Sequence, residues 1–544
     1  MQNLHNLWQQ LYPHSETNIL IEFISELEVY KSIINLQPLN DFWYKDAVVY
    51  SLYVDLFNGT FDGLIDKLDY LEELGINCLW LLPVLDSPMK DAGFDVRDFR
   101  KIRKSLLGDN VSNNNSEKLF ENFIKEAHKR NFKIIFDLPL NHCSDEHQWF
   151  KNSKDDKNNE FRNYFIWNKD DKKYSEARVI FKGIEQSNWT KFGDEYYFHR
   201  FFEFQPDLNY RNPKLLLEMT RTLLFWLKSG VDGFRADAIP YLWKETGTDC
   251  ENLDGTHLIL KFMKAVLDYV RPNVLFLAEA CQKPQEVVKY FGNADECNAA
   301  YHFPLMPMIY KAIASQNKNP IQSILDKKNT PEISEKSQWF LFLRCHDELS
   351  LEEVYVNEND RKYIYDNFCH NPKWDFRNGE GISARLSELM GFHPDKILLA
   401  YSIILTLPGT PIIYYGDEFA KANDDEYYNE QIKITGKNDT RFLVRGKIDW
   451  NDVEKSLKDE TTISNKIFFE LKRMINMRNV SSVFGRGSIE WIDVKNDSIL
   501  AYYRIYENEK VLVLNNLSSK QQSFSIDSVG SFLLKGYGFV WRFY

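Results

Sequence analysis

A repeated pairing of a short apolar run with a polar, helix-like segment constrains the fold most. Seven such runs are clear, and an eighth is suspected near "AAYHFPLMP", which begins at Ala299. The clear runs are "AVVYSLYV", "CLWLLPV", "KIIFDLPL", "VDGFRADAI", "VLFLAEA", "WFLFLRC" and "PIIYYG". Because their apolarity is continuous and does not alternate, they indicate strands that are buried on both faces, as in a parallel sheet.

Amphipathic segments separate these runs, for example "FDGLIDKLDYLEELG" and "PKLLLEMTRTLLFWLKSG". Both of these end in Gly, which is a common helix stop. Repeated strand–helix units over several hundred residues predict an α/β fold of the (β/α)8 type, the TIM barrel. The alternative is an open doubly wound sheet, but no Gly-rich phosphate loop follows any of the runs.

Irregular spacing between the runs predicts the domain organisation. We expect an N-terminal helical segment over 1–44 and the catalytic barrel over 45–480. A polar and aromatic stretch after the third strand, about 143–206, is too long for a simple loop and predicts an inserted subdomain. A smaller insertion is expected at about 351–394. Alternating apolar residues over 481–544 predict a C-terminal antiparallel β domain.

Composition and charge narrow the class of protein. The formal net charge of −12 argues against binding to nucleic-acid phosphates. The N-terminal residues show no secretory signal, and no apolar run is long enough to cross a membrane. Seven scattered cysteines show no CxxC pair and no Cys/His spacing of a metal site. We therefore expect a cytoplasmic protein with reduced thiols.

Charged residues gather where the predicted strands end. Asp137, Arg235, Asp237, Glu279 and Asp347 close four different runs. A single Asp after one strand is usually structural, but four strands that bring charges to one barrel mouth indicate an active site. Convergent carboxyl groups beside an Arg suit glycoside chemistry, in which one carboxylate attacks and a second acid protonates the leaving oxygen. The HExxH spacing of a metal hydrolase is absent.

Four ordered segments, "DLPLNH", "GFRADA", "FLAEA" and "CHDE", resemble the catalytic motifs of the α-amylase family, the family-13 glycoside hydrolases. The resemblance extends to the barrel, the inserted subdomain and the C-terminal β domain. It implies that Asp237 is the nucleophile of a covalent glucosyl enzyme and that Glu279 is the general acid and then the base. It also implies that Asp347 binds the 2- and 3-hydroxyls of the sugar and grips the distorted transition state.

The same resemblance implies a set of substrate-binding residues. His142 and His346 would bond to the innermost sugar, and Arg235 would orient the nucleophile. The segment "DAGFDV" is similar to the pocket motif of the family, which implies that Asp95 is a sugar ligand. Phe94 stands where the family commonly has a stacking Tyr.

Two subgroups of the family compete. "CQKPQEVVKYFGNADECNAAYHFPLMP" and "FLRCHDEL" resemble the trehalose synthases, whereas "GDEFAKANDDEYYNE" with "KNDTRFLVRGKIDW" resembles the amylosucrases. The second resemblance implies that an ion pair of Asp91 with Arg441 closes the base of the pocket. We expect a retaining transglucosidase that acts on a small disaccharide and converts maltose to trehalose. The alternatives are sucrose-driven glucosyl transfer or sucrose hydrolysis, an α-glucosidase, and a non-catalytic sugar-binding barrel.

No metal or other cofactor is expected to be required. The calcium-loop pattern D-x-N-x-D-G of some relatives is missing at "DLFNGTFDG", and Tyr241 replaces a His of the calcium-dependent amylases. The sequence does not support calcium, although another site stays open. Cys345 stands where the trehalose synthase pattern has Asn and the amylosucrase pattern has Ser, and we interpret it as a small substitution that creates neither a metal site nor a thiol enzyme.

Overall fold

Eight parallel strands form a closed barrel in a computed structural model, which describes residues 2–15, 17–34, 36–108 and 116–544. Each strand pairs with the next along the chain, and the last closes on the first. The prediction of a TIM barrel is confirmed. The suspected eighth run also forms a strand, which is the sixth in chain order. The strands are β1 (Val49–Leu52), β2 (Cys78–Leu81), β3 (Lys133–Pro139), β4 (Gly233–Asp237), β5 (Leu275–Ala278), β6 (Ala299–Tyr301), β7 (Gln338–Phe342) and β8 (Thr410–Tyr414).

The register of the central strands places the charged residues side by side. Asp137 of β3 lies opposite Arg235 of β4, and Pro139 lies opposite Asp237. Gly233 allows β4 and β5 to approach closely, because a Cβ at this position would lie 2.6 Å from the Cβ of Leu275. The pairing therefore brings functional groups of three strands to one end of the barrel.

Helices surround the barrel, and local sequence sets their ends. Asn212 caps a helix by accepting a bond from the backbone of Lys214, and Pro213 occupies the first turn, where a missing N–H costs nothing. The segment predicted as one helix from residue 61 forms two, since Lys67 leaves the helical conformation. The longer helices are Gln2–Leu11, Asn18–Ile34, Ser116–Lys129, Pro213–Lys228, Asp254–Val270, Leu305–Ser315, Pro394–Thr406 and Ile463–Asn479; the shorter pair is Phe61–Asp66 and Leu68–Leu74.

Two small sheets lie in the segments where insertions are predicted. After β3 come the helix Gln148–Asp155 and a three-stranded antiparallel sheet of Trp167–Asn168, Trp189–Phe192 and Glu195–Phe198. After β7 come the helix Glu358–Phe368 and a sheet of Leu349–Ser350, Asp375–Phe376 and Gly381–Ile382. The exact domain limits stay predictions.

The C-terminal segment forms antiparallel sheets. A four-stranded sheet has the order β9 (Ser488–Ile492), β10 (Ile499–Tyr506), β11 (Glu509–Asn516) and β14 (Phe539–Phe543), and β12 (Gln522–Ile526) pairs with β13 (Gly530–Leu534). At the other end of the chain, the rings of Trp8 and Phe23 contact Phe262 on a barrel helix. Within the described ranges, no helix has both the length and the apolarity that a membrane crossing needs.

Candidate active site

One cavity of about 110 Å³ opens at the carboxyl ends of the barrel strands. Eight of the ten predicted site residues line it: Asp91, Phe94, His142, Asp237, Glu279, His346, Asp347 and Arg441. The other two, Arg235 and Asp95, lie behind its wall and are at most 1% exposed. Phe181 and Phe201, from the insertion after β3, line the cavity as well.

Arg235 connects the buried carboxyl groups. Its Nη1 donates to Asp137 Oδ1 at 2.8 Å and to Asp237 Oδ1 at 2.5 Å, and its Nη2 donates to Glu279 Oε1. The second oxygen of Glu279 accepts from the backbone N–H of Ala238 at 3.0 Å. Because one planar guanidinium bonds to both Asp237 and Glu279, their carboxyl groups are held close together. This favours the short separation of retaining glycosidases, about 5–5.5 Å, over the longer one of inverting enzymes.

The two carboxyl groups have different acidities. Burial raises the pKa of Asp237 to about 6, although Arg235 opposes this by favouring the charged form. Burial and the negative charges of Asp237 and Asp347 together raise the pKa of Glu279 to about 8, although Arg235 again opposes this. At neutral pH Glu279 therefore holds a proton that it can donate, whereas Asp237 is mostly ionised.

Asp347 lies among positive charges. Its Oδ1 is 3.0 Å from Arg441 Nη1 and 3.4 Å from Arg445 Nη2, and its Oδ2 is 3.1 Å from His346 Nε2. Burial raises the pKa of Asp347, but the adjacent Nε2 of the neutral His346 ring and the charges of the two guanidinium groups outweigh this and hold the pKa below its ordinary value. Asp347 is consequently an anion that accepts hydrogen bonds.

The ion pair expected between Asp91 and Arg441 is present. Arg441 Nη2 lies 3.0 Å from Asp91 Oδ1, and the second oxygen of Asp91 accepts from Gln205 Nε2 at 3.0 Å. Asp439, two residues before Arg441, fixes the guanidinium from another side at 2.6 Å. A buried ion pair with satisfied hydrogen bonds makes this part of the cavity wall rigid.

Asp95 supports the loop that carries Asp91. Its carboxylate accepts from the backbone of Lys90 at 2.9 Å, from the backbone of Asp91 at 3.1 Å and from Ser87 Oγ at 2.9 Å. Since Asp95 is fully buried and does not line the cavity, the geometry does not support the direct sugar contact that the motif implied. It supports a positioning role instead.

Two histidines and one aromatic ring complete the cavity wall. Phe94 stacks on His346, with ring centroids 5.1 Å apart and planes 18° apart. Burial lowers the pKa of His142 to about 4 and lowers that of His346 well below 6.5. Both rings are therefore neutral, and each has one buried nitrogen, His142 Nε2 and His346 Nδ1, without a hydrogen-bond partner among the described residues.

Comparison with known proteins agrees with this geometry. Residues 10–373 match the family described as "Alpha amylase, catalytic domain", and residues 499–537 match "Alpha-amylase SusG C-terminal domain". The chain belongs to the α-amylase family. Its relatives include the trehalose synthase/amylase TreS of Mycobacterium tuberculosis, 36% identical over 90% of this chain and 84% of that protein. The trehalose synthase of Thermus thermophilus is 38% identical over 90% of this chain and 52% of its own length.

A solved structure of an α-amylase-type enzyme shares the fold. The isomaltulose synthase of Klebsiella sp. LX3 superposes with a TM-score of 0.71 and covers 93% of this chain and 100% of its own. Its sequence identity is 23%, so this likeness concerns the fold alone.

Several residues at the site of this family member were missed by the sequence analysis. Arg445 bonds to Asp347. The sequence signal that could have pointed to Arg445 is its position four residues after Arg441. Arg377 pairs with Glu348 at 2.9 Å and with Glu352 at 3.0 Å on the cavity wall. Glu348 lies in the loop after β7, and its carboxylate belongs to this ion network.

A buried lysine lies next to the motif "DLPLNH". The ammonium of Lys244 is 2.8 Å from Asp207 Oδ2 and 2.8 Å from Asn141 Oδ1, and it approaches the carbonyl of Leu208 at 3.4 Å. Asn141 precedes His142, so this cation supports the segment that carries a cavity residue. The sequence analysis did not single out Lys244.

Cys345 is buried beside the reacting groups. Burial raises the pKa of its thiol to about 12, which does not suit a thiolate nucleophile. The ligand atoms of Cys345, His346 and Asp347 all lie within 4.8 Å of one another. The ring of Tyr241 faces Arg200 at 4.9 Å, and its hydroxyl lies 3.4 Å from Arg178 Nη2.

Proposed function

We propose that this chain is a retaining transglucosidase that converts maltose to trehalose through a covalent glucosyl enzyme. The observation that carries the proposal is the contact of one guanidinium, that of Arg235, with both Asp237 and Glu279. The relatives, trehalose synthases at 36% and 38% identity over most of the chain, support the choice of substrate.

In the first step an oxygen of Asp237 attacks C1 of the non-reducing glucosyl unit. The bond from C1 to the linking oxygen breaks, and Glu279 gives its proton to that oxygen. The products are a glucosyl ester of Asp237, free glucose and an ionised Glu279. The high pKa of Glu279 suits this donation, and the lower pKa of Asp237 suits the attack.

In the second step the released glucose turns within the site before it leaves. Its anomeric hydroxyl gives a proton to Glu279, and its oxygen attacks C1 of the ester, which breaks the bond to Asp237. The product is trehalose, and both carboxyl groups return to their starting states. If water replaced the glucose, the result would be hydrolysis, so exclusion of water from the cavity would favour transfer.

The remaining cavity residues suit the binding of the glucosyl unit. Asp347 is an ionised acceptor for two hydroxyls, and the free ring nitrogens of His142 and His346 are available to others. The ion pair of Asp91 with Arg441 offers charged partners at the opposite side of the sugar and leaves no opening for a longer chain. These roles, together with stacking on Phe94, form part of the proposal.

Product analysis tests the proposal. Purified protein is incubated separately with maltose, trehalose and sucrose, and the sugars are separated over time, with an Asp237→Asn variant as the inactive control. We expect maltose and trehalose to interconvert, with glucose as a minor product. Fructose release and glucan growth from sucrose, without trehalose from maltose, would replace the proposal by sucrose-driven transfer. Glucose alone from maltose would indicate an α-glucosidase, and no turnover of any sugar would contradict the enzyme proposal.

A further inference from the structure

Three consecutive residues, Cys345, His346 and Asp347, form a compact set of metal-binding side chains. His346 and Asp347 line the cavity, and all three line a smaller void of about 10 Å³ that adjoins it. One sulfur, one ring nitrogen and one carboxylate oxygen lie within 4.8 Å of one another. The proposed reaction uses the histidine and the carboxylate, but it leaves the thiol without a role. Relatives of the trehalose synthase pattern, with Asn at this position, would lack the sulfur.

The distance between the imidazole nitrogen and the carboxylate oxygen suits a small tetrahedral cation. His346 Nε2 lies 3.1 Å from Asp347 Oδ2, and two ligands of a tetrahedral zinc ion with bonds of about 2.1 Å lie roughly 3.4 Å apart. Arg441 and Arg445 bond to Oδ1 of Asp347, so its Oδ2 is the oxygen that faces the histidine. Cys345 and His346 are buried, Asp347 is partly buried, and His346 Nδ1 has no partner among the described residues.

The charge balance around the set also suits a cation. Three guanidinium groups lie in this ion network, whereas the carboxyl groups connected to them number six. The guanidinium groups are those of Arg235, Arg441 and Arg445, and the carboxyl groups are those of Asp91, Asp137, Asp237, Glu279, Asp347 and Asp439. Since Glu279 is protonated at neutral pH, five carboxylates face the three guanidinium groups, and an additional divalent cation enters an ion network of net negative charge.

Contrary to the interpretation of Cys345 from the sequence, we propose that Cys345, His346 and Asp347 bind Zn²⁺ and that the bound ion inhibits the enzyme in competition with its sugar. Zinc accepts sulfur, imidazole and carboxylate ligands together, and three protein ligands leave a fourth position for water. The thiol of Cys345 gives its proton to solvent as the Zn–S bond forms, and no redox change takes place. Because the ion occupies His346 and Asp347, the sugar loses two of its proposed partners.

The thiol of Cys345 should determine the affinity of this site for Zn²⁺. With Asn at position 345, only the histidine and the carboxylate remain as strong ligands. Since loss of an outer partner alone costs a metal site about 10–100-fold in affinity, loss of a direct ligand should cost at least about tenfold. Cys281 offers a control, because its thiol lines the cavity near the site but is not part of the set.

Two measurements on the full chain, freed of metal with a chelator and desalted, test the proposal. The first is titration with Co²⁺, a spectroscopic substitute for Zn²⁺, followed by the thiolate-to-cobalt charge-transfer absorption. The second is the inhibition of maltose turnover by Zn²⁺ at several maltose concentrations. We expect a one-to-one cobalt signal and competitive, chelator-reversible inhibition in the wild type and in Cys281→Ser. In Cys345→Asn the charge-transfer band should be lost, and the zinc inhibition constant should rise at least about tenfold.

Each outcome of these measurements supports or overturns the proposal. Equal zinc sensitivity in Cys345→Asn and Cys281→Ser, or a cobalt spectrum without a thiolate band, would overturn the proposal. Loss of the band in Cys281→Ser alone would move the site to the other thiol. Circular dichroism shows whether the variants fold, and the cobalt titration needs no turnover, so failure of the proposed reaction would leave this result readable.

Discussion

Arg235 Nη1 lies 2.5 Å from Oδ1 of Asp237, two residues further along the same strand. Side chains two residues apart share one face of a strand, so both groups point to the barrel mouth. The same guanidinium also bonds to Glu279, from the next strand. The guanidinium of Arg235 thus holds both carboxyl groups in position. Burial and the neighbouring anions keep the pKa of Glu279 above that of Asp237.

Replacement of the proposed nucleophile should abolish turnover without unfolding the chain. In Asp237→Asn no carboxylate can form the glucosyl ester, and we expect kcat for maltose to fall by about 10⁴-fold or more. The amide keeps the shape of the side chain, so circular dichroism and the unfolding midpoint should change little. Asp527→Asn, at an exposed position in the C-terminal segment, is the control. Near-normal turnover in Asp237→Asn would remove Asp237 from this role.

The pH profile should report the two carboxyl groups. Activity needs Asp237 ionised and Glu279 protonated, so kcat/KM for maltose should fall below about pH 6 and above about pH 8. Because the groups interact, the two limbs belong to the coupled pair. With α-glucosyl fluoride, whose leaving group needs no proton, the alkaline limb should weaken, and Glu279→Gln should retain formation of the glucosyl enzyme. An unchanged alkaline limb with the fluoride would contradict the acid role of Glu279.

The barrel could be predicted because buried parallel strands are continuously apolar. The sixth strand gave the weakest signal, since Ala299–Tyr301 has only three residues. Very short strand pairs gave no signal in the sequence. Leu85–Asp86 pairs with Asp98–Ile102 beside the loop that carries Asp91, and a strand of two residues is too short to show a periodic pattern. Long periodic elements are therefore visible in the sequence, whereas the short pairs that shape the loops depend on tertiary contacts.

The candidate site likewise contains residues that the sequence motifs reveal and residues that only the tertiary structure reveals. Motif spacing located the groups that end barrel strands, such as Asp237 and Glu279. It did not find Arg445, whose contact with Asp347 depends on the fold of a loop far along the chain. Asp95 was interpreted as a sugar ligand, but its carboxylate binds backbone N–H groups. Which side of a loop a side chain faces is set by backbone conformation, which spacing does not encode.

The ion pair at the cavity wall should control binding of the glucosyl unit. Asp91→Asn removes the charge that holds Arg441 and weakens an acceptor, so we expect KM for maltose to rise about tenfold, which corresponds to about 1.4 kcal/mol. Asp86→Asn is the matched control, because Asp86 pairs with Arg97 at 2.7 Å outside the cavity. Initial rates at increasing maltose concentrations give both constants. An equal change of KM in the two variants would assign the effect to the loop and not to the pocket.

The buried ammonium of Lys244 should stabilise the fold more than any exposed lysine. Asp207 has no exposed surface and lies 2.8 Å from this ammonium, so Lys244→Met leaves a buried carboxylate without its partner. Breaking a buried ion pair on one side costs about 3–5 kcal/mol, and urea unfolding at neutral pH should show a loss of this order. Lys214→Met, on an exposed helix position, should change the free energy of unfolding by no more than about 0.5 kcal/mol. If both variants unfolded at the same urea concentration, Lys244 would not be the structural cation that its contacts indicate.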